Sequence, residues 1–224
     1  FSQIYYCAQV IALMMFGFHT YLLFGSYLVI QYRRLMVSLD AIVKRAELVK
    51  KKKMKENGGC DIETCYRFCL KENVEHHKVI LKFQEDYKVL VSAPVFMVYG
   101  FTSYAMAMAT VIFYNEIDSV MPRILGAGVM IICLLSTSLI SWIGGKIWEQ
   151  TEDFFFAIYK VKWYNYKKRT TACLRIMMSV SFKERKIVAL HILPIDLEAL
   201  ASLMRAAYSA FNVITALQIQ NKKN

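Results

Sequence analysis

Charged residues along this chain come in blocks, and the stretches between the blocks are long and apolar. Residues 1–32 contain no Lys, Arg, Asp or Glu, and Arg33 and Arg34 end the run. From Ile4 to Ile30 it is long enough to cross the roughly 30 Å of hydrocarbon in a bilayer. A second charge-free run extends from Val89 to Asn115, and a third covers 124–145 and stops at Lys146. A fourth, 197–220, is apolar but keeps Glu198, Arg205 and Asn212. The four runs predict membrane helices. Small residues in the second run (Ala93, Gly100, Ser103, Ala105, Ala107, Ala109) suit close helix packing in lipid, and Pro94 predicts a kink there.

The charged stretches have a helical period of their own. Leu35, Leu39, Ile42, Val43, Ala46 and Val49 recur at helical spacing and predict an amphipathic helix. After the basic loop Lys51 to Gly59, a second helix is expected from near Ile62. Its buried stripe is Tyr66, Cys69, Leu70, Val74, His77, Leu81 and Tyr87. The stretch 116–123 reads as a turn, which makes its flanking spans antiparallel neighbours. Downstream, a helix is expected over 145–166, then a basic turn at Lys167–Thr171, then a helix over 174–193 that Pro194 ends. From about Leu197 the chain enters its last helix.

Composition agrees with this pattern. Of 224 residues 57% are hydrophobic and only 20% charged, with mean hydropathy +0.35; a soluble domain is nearer 45–50% apolar. The chain is therefore expected to be an all-α, polytopic helical membrane protein with long cytoplasmic helical extensions. No basic n-region precedes the first apolar run, so no signal peptide is expected. The first residue is Phe1, and the chain is expected to be a fragment with helices missing upstream.

The net charge of +11 does not imply nucleic acid, because the basic residues alternate with membrane-length spans. They instead set orientation. Residues 31–88 carry 14 Lys and Arg, residues 146–205 carry 11, and the linker 115–123 carries 1. Basic loops stay on the cytoplasmic side. The first span then runs outward to inward, 116–123 is an extracellular linker, and the C-terminus is extracellular.

Candidate chemistry is sparse. Cys60, Cys65 and Cys69 lie near His76 and His77, but no Cys-x2-Cys pair is present, and no metal site is expected. Cytoplasmic cysteines are expected to be reduced. No Ser-His-Asp set, HExxH or Gly-rich phosphate loop appears, so neither an enzyme nor a cofactor is expected. His19 in the first run is expected to pair with a neighbouring helix. On the last helix, Tyr208, Phe211, Asn212, Thr215, Gln218 and Ile219 share one face at 3.6-residue spacing. An apolar ring at Phe211 can gate by dewetting while polar neighbours hydrate an ion. Asn–Gln helix packing without conduction fits the same face.

One ordered set of motifs resembles the insect odorant receptors. It comprises His77-x2-Ile80-x2-Phe83, Tyr159-x3-Trp163, the basic turn at Lys167–Arg169, Met177–Met178, Pro194, and Ala199-x8-Tyr208-Ser209-x-Phe211. Ala207-Tyr208-Ser209 and Gln218-Ile219 fit that branch better than the Thr-Tyr…Gln-Phe ending of gustatory receptors. The resemblance covers essentially the whole chain and places it as the C-terminal four of seven membrane helices.

The resemblance implies a subunit of a ligand-gated, non-selective cation channel that binds volatile odorants. It implies a heterotetramer with an olfactory co-receptor in the plasma membrane, in contact with lipid. By this resemblance 197–220 is the pore-lining helix, with its gate near Phe211 and Thr215 among Tyr208, Asn212 and Gln218. Residues 146–196 become cytoplasmic anchor helices, with His77, Tyr159, Trp163 and Pro194 as anchor residues. The outer-half odorant pocket would include Tyr5, Tyr6, Ile11, Tyr104, Met108, Leu125, Val129 and Ile132. A gustatory-type chemoreceptor channel and a multi-spanning transporter are the alternatives. For the transporter no inverted repeat is visible.

Overall fold

A computed structural model describes residues 2–56, 59, 61–114, 120–182, 186–190 and 192–223. Within these, the side chains of 2–4, 6–8, 10–14, 109–114, 122, 165, 210, 211 and 214–223 lie outside the description. The order of elements is α1 (Ser2–Asp40), α2 (Ile42–Lys55), α3 (Ile62–Tyr114), α4 (Val120–Lys160), a 3-10 turn (Trp163–Asn165), α5 (Lys168–Phe182), a hairpin of β1 (Val188–Ala189) and β2 (Leu193–Pro194), and α6 (Leu197–Lys223). The protein is an all-α membrane protein. Among the described residues, Ile62–Met108 and Arg123–Lys160 contain windows apolar enough to cross a bilayer, with mean hydropathy 1.5 and 2.2.

Helices run through several charge boundaries. At about 1.5 Å per residue, the 39 residues of α1 make a rod about twice as long as hydrocarbon requires. Helix α3 has 53 residues and continues through Pro94. It begins at Ile62, where the apolar period places it.

The chain packs as two compact units. Unit 1 comprises Phe1–Leu23, Lys88–Gly145 and Ile187–Asn224. Its described core includes Tyr21, Val91, Val95, Tyr99, Cys133, Ile140 and Ile143. Its described hydroxyls bond mostly within their own helices: Thr137 Oγ1 donates to the Cys133 carbonyl at 2.9 Å, and Ser141 Oγ to the Thr137 carbonyl at 2.8 Å. Large apolar side chains such as Phe101, Ile131 and Leu135 remain exposed on its surface.

Unit 2 comprises Phe24–Tyr87 and Lys146–Lys186. Leu28, Tyr32, Leu35, Leu39, Ile42, Tyr66, Leu70, Ile147, Phe154, Ile158 and Leu174 form its core. The α1–α2 stripe is buried at Leu35, Leu39, Ile42 and Ala46. Val43 is exposed instead, because it lies one residue, about 100°, off that row. The α3 stripe is buried at Tyr66, Cys69, Leu70, His77 and Tyr87, and half-buried at Val74 and Leu81. Asn73, Ile80 and Gln84 complete it.

Three expected boundaries need correction. The helix expected over 145–166 ends at Lys160. There Trp163 N–H turns back to the Val161 carbonyl, and Thr171 Oγ1 donates to the Trp163 carbonyl at 3.1 Å. The basic turn is instead the opening of α5, with the Thr170 and Thr171 amides both on the Lys167 carbonyl at 2.9 and 3.1 Å. The helix expected as far as 193 stops at Phe182, and the chain then forms the hairpin, in register Val188 with Pro194 and Ala189 with Leu193. Pro194 explains the last correction. It disfavours helical backbone at Leu193 and lacks an amide to donate, while Ile187 and Val188 are β-branched and suit an extended chain.

Candidate functional site

Helix α6 starts cleanly. Asp196 Oδ1 accepts the Ala199 N–H at 2.8 Å, which satisfies one of the open amides of the first turn. Glu198 adds an acidic group in that turn, where the helix dipole favours it. Ala199 is buried and Leu200 half-buried. Beyond them, nearly every described side chain to Val213 is exposed, with Leu203 and Ala207 half-buried. Tyr208 is 67% exposed and Asn212 is also exposed. The side chains of Phe211, Thr215 and Gln218 lie outside the described residues. Along the backbone all five candidates belong to α6. The described part of α6 beyond Leu200 therefore has most of its surface available for water, lipid or other chains.

The base of α6 is held differently. Ile195 N–H donates to the Ile187 carbonyl at 2.9 Å, which closes the hairpin below the cap. Ile187, Ala189 and Ile195 are buried. Leu190 N–H donates to Ser92 Oγ of α3 at 2.7 Å. On α4, a Cβ added at Gly144 would fall on the Ile195 carbonyl oxygen and lie 2.9 Å from Ile195 Cγ2. In the sequence Gly144 and Ser92 are ordinary residues of charge-free spans. A tertiary approach of this kind leaves no local signal.

The candidate ligand-pocket residues all belong to unit 1. Tyr5, Tyr104, Met108, Leu125, Val129 and Ile132 are exposed rather than packed into its core. The side chains of Tyr6 and Ile11 lie outside the described residues. What the structure brings together in this unit is a second, polar row. Tyr21 Oη donates to the Ile140 carbonyl at 2.9 Å, and Tyr99 Oη bonds Ser141 Oγ. His19 is exposed, with its ring 6.2 Å from that of Phe18.

Of the anchor candidates, His77, Tyr159 and Trp163 belong to unit 2 and Pro194 to unit 1. His77 is only 4% exposed, and its ring lies 4.7 Å from Phe154, itself fully buried. The Arg175 guanidinium sits 5.7 Å over the Trp163 ring, a cation–π contact. Tyr159 is exposed. Tyr66 and Tyr166 stack at 3.9 Å and 19°, and burial raises both phenols above the ordinary tyrosine range. Burial likewise pushes the Cys69 thiol up, so it packs as a neutral side chain. His76 Nε2 lies 3.1 Å from Gln31 Oε1. Burial, and then the nearby Arg34 charge, hold that imidazole below its usual range.

A side groove of unit 2, about 440 Å³, is lined by Trp148, Glu152, Phe155, Phe156 and Phe182. Lys186 Nζ lies 5.2 Å over the Trp148 ring.

The protein-family model described as 7tm Odorant receptor matches residues 1–208. Comparison with curated proteins returns no match. The match ends at Tyr208, so Phe211, Asn212, Thr215 and Gln218 lie past it.

Proposed function

The chain belongs to the insect odorant receptor family, and on that premise we propose that it is a subunit of an odorant-gated, non-selective cation channel. The observation that carries the reading is the family match over residues 1–208. The exposure of most described α6 side chains between Ala201 and Val213 supports it, since a pore wall has to give up intrachain packing on the side that meets water.

In this reading the subunit sits in the plasma membrane as a heterotetramer with an olfactory co-receptor. The basic stretches 33–88 and 146–196 lie in the cytoplasm, 116–123 lies outside, and α6 carries the chain outward. Four α6 helices surround one ion path. Phe211 and Thr215 form the gate, and Tyr208, Asn212 and Gln218 give polar groups to a hydrated cation. Asn212 and Gln218 are costly against hydrocarbon, which favours a wet face. A volatile, mostly apolar odorant binds in the outer half of unit 1, where Tyr5, Tyr104, Met108, Leu125, Val129 and Ile132 offer apolar and aromatic surface. His77, Tyr159 and Trp163 act as packing residues of the cytoplasmic anchor, and Pro194 acts at the entry to α6.

The test is electrophysiological. The full-length receptor is co-expressed with the co-receptor and challenged with a panel of volatiles. Odorant-evoked cation current above that of the co-receptor alone is expected. Failure of every volatile to evoke it, with the receptor at the cell surface, would remove the channel-subunit reading. Phe211→Ala and Thr215→Ala are expected to change relative ion permeability; unchanged permeability in both would remove the pore assignment.

A further inference from the structure

We propose that the hairpin Val188–Pro194 is the pivot of α6, and that Ser92 on α3 and Gly144 on α4 are the positioning residues that hold it. The proposal rests on α6 being the pore helix. It concerns how α6 is moved.

Four observations within unit 1 support it. First, the described part of α6 is fixed at its base. Ile187, Ala189, Ile195 and Ala199 are buried, whereas the described side chains from Ala201 to Val213 are half-buried at best. A helix whose described part is packed only at its base tilts about that base. Second, the hairpin does not hold itself. Strands of two residues are far below what is stable alone, so their geometry is imposed by neighbours. Third, the hairpin is strained where α3 grips it. Leu190 has φ 46°, a left-handed conformation costly for a side chain of this kind. Such a conformation persists only where surroundings over-determine it. Here its N–H is spent on Ser92 Oγ at 2.7 Å. Fourth, the α4 contact leaves no slack: Gly144 is buried, and a Cβ there would occupy the place of the Ile195 carbonyl oxygen. Ile195 is one residue before the Asp196 cap of α6.

The consequence is mechanical. A shift of α3 relative to α4 moves Ser92 and Gly144 apart or together, and the hairpin converts that shift into a tilt of α6. Ligand-induced movement in the spans thus reaches the pore through one hydrogen bond and one steric contact. Neither Ser92 nor Gly144 need touch odorant or ions.

Two measurements on the full-length receptor test this. In cells with the co-receptor, Ser92→Ala should lower the maximal odorant-evoked current, normalised to surface receptor, by about fivefold, the factor expected for one hydrogen bond. Ser92→Thr keeps the hydroxyl and should restore most of it. Gly144→Ala should shift the odorant-independent current. In purified receptor, hydrogen exchange at the Leu190 and Ala199 amides should rise about fivefold in Ser92→Ala and stay near wild type in Ser92→Thr. Wild-type current and wild-type exchange in Ser92→Ala would overturn the proposal, as would a Ser92→Thr variant as impaired as Ser92→Ala. If the wild-type receptor gave no current at all, the channel reading would fall. The exchange measurement would still decide whether Ser92 holds the base of α6.

Discussion

The two units solve the problem of buried polar groups in opposite ways. In unit 2 polar side chains reach from helix to helix. Tyr32 Oη donates to Gln84 Oε1 at 2.7 Å, Arg33 Nε to Gln150 Oε1 at 3.1 Å, and Ser38 Oγ to Asn73 Oδ1 at 2.6 Å. Arg45 joins that last pair and also meets Glu72 at 2.6 Å. In unit 1 most described hydroxyls turn back on their own helix. Ser103, Ser136 and Ser138 each donate to the carbonyl four residues before them, at 2.9, 2.8 and 2.7 Å. The difference agrees with the proposed placement of the spans of unit 1 in the bilayer and of the basic stretches 33–88 and 146–196 in the cytoplasm. In hydrocarbon every polar group needs an internal partner, and the nearest is the helix backbone itself. In water, polar cross-links between helices are affordable because the open state is also solvated, and they fix which helix faces meet.

The strongest way to break this comparison is to remove a large side chain from each unit. Phe154 is fully buried beneath His77 and Tyr32. Phe154→Ala should cost about 3–5 kcal/mol by lost transfer energy and a residual cavity. Leu125 is exposed in unit 1, and Leu125→Ala should change stability by less than about 0.5 kcal/mol. Thermal unfolding of the detergent-purified full-length receptor reads both. A Phe154→Ala receptor as stable as wild type would show that unit 2 is not a packed core.

A smaller effect sharpens the polar half of the comparison. Tyr32→Phe removes a cross-helix donor to the buried Gln84 and should cost about 1–2 kcal/mol. Ser138→Ala removes only a local bond to the Leu134 carbonyl and should be nearly neutral, because that carbonyl keeps its place in the helix. Equal losses in the two variants would mean that the units do not differ in how they use polar groups.

Much of this architecture is legible in the sequence, and the parts that are not share a cause. The apolar row Tyr66, Cys69, Leu70, His77, Tyr87 can be read because burial repeats with the helix. Asn73 and Gln84 fall on the same row and are equally buried, but their polarity hides them from a hydrophobic pattern. Their spacing from Leu70, Ile80 and Tyr87, in steps of three and four, was the available signal. The hairpin is hidden because Ile187 to Leu193 is mostly apolar and continues a helical-looking run. Only Pro194 marks it, and in the sequence a proline there reads equally well as the end of a helix. At the candidate site, Tyr208 and Asn212 are found by their period on α6. Ser92 and Gly144 are not, since each matters through a contact with residues roughly 50–100 positions away, and no local rule carries that distance.

The smallest expected effect concerns protons. His76 belongs to unit 2, with Nε2 against Gln31 Oε1, and its pKa is lowered by burial and then by Arg34. Its unfolded value is near 6.5. A base with a depressed folded pKa binds its proton more readily when unfolded. The unfolded state therefore takes up protons first as pH falls through about 6.5, and stability is lost in that direction. Above that pH the neutral ring is present in both states and the full contribution remains. His76 is half-buried, so screening keeps the effect small. Unfolding temperature should decline from pH 7 to pH 5, and the decline should be shallower in His76→Gln, which keeps a hydrogen-bonding side chain without a titrating ring. The comparison is read in the upper half, pH 7 to 6, around the unfolded value of the ring. An identical slope there in wild type and His76→Gln would assign the acid sensitivity to some other group. It would also remove His76 as a titrating cross-link from the contrast between the units.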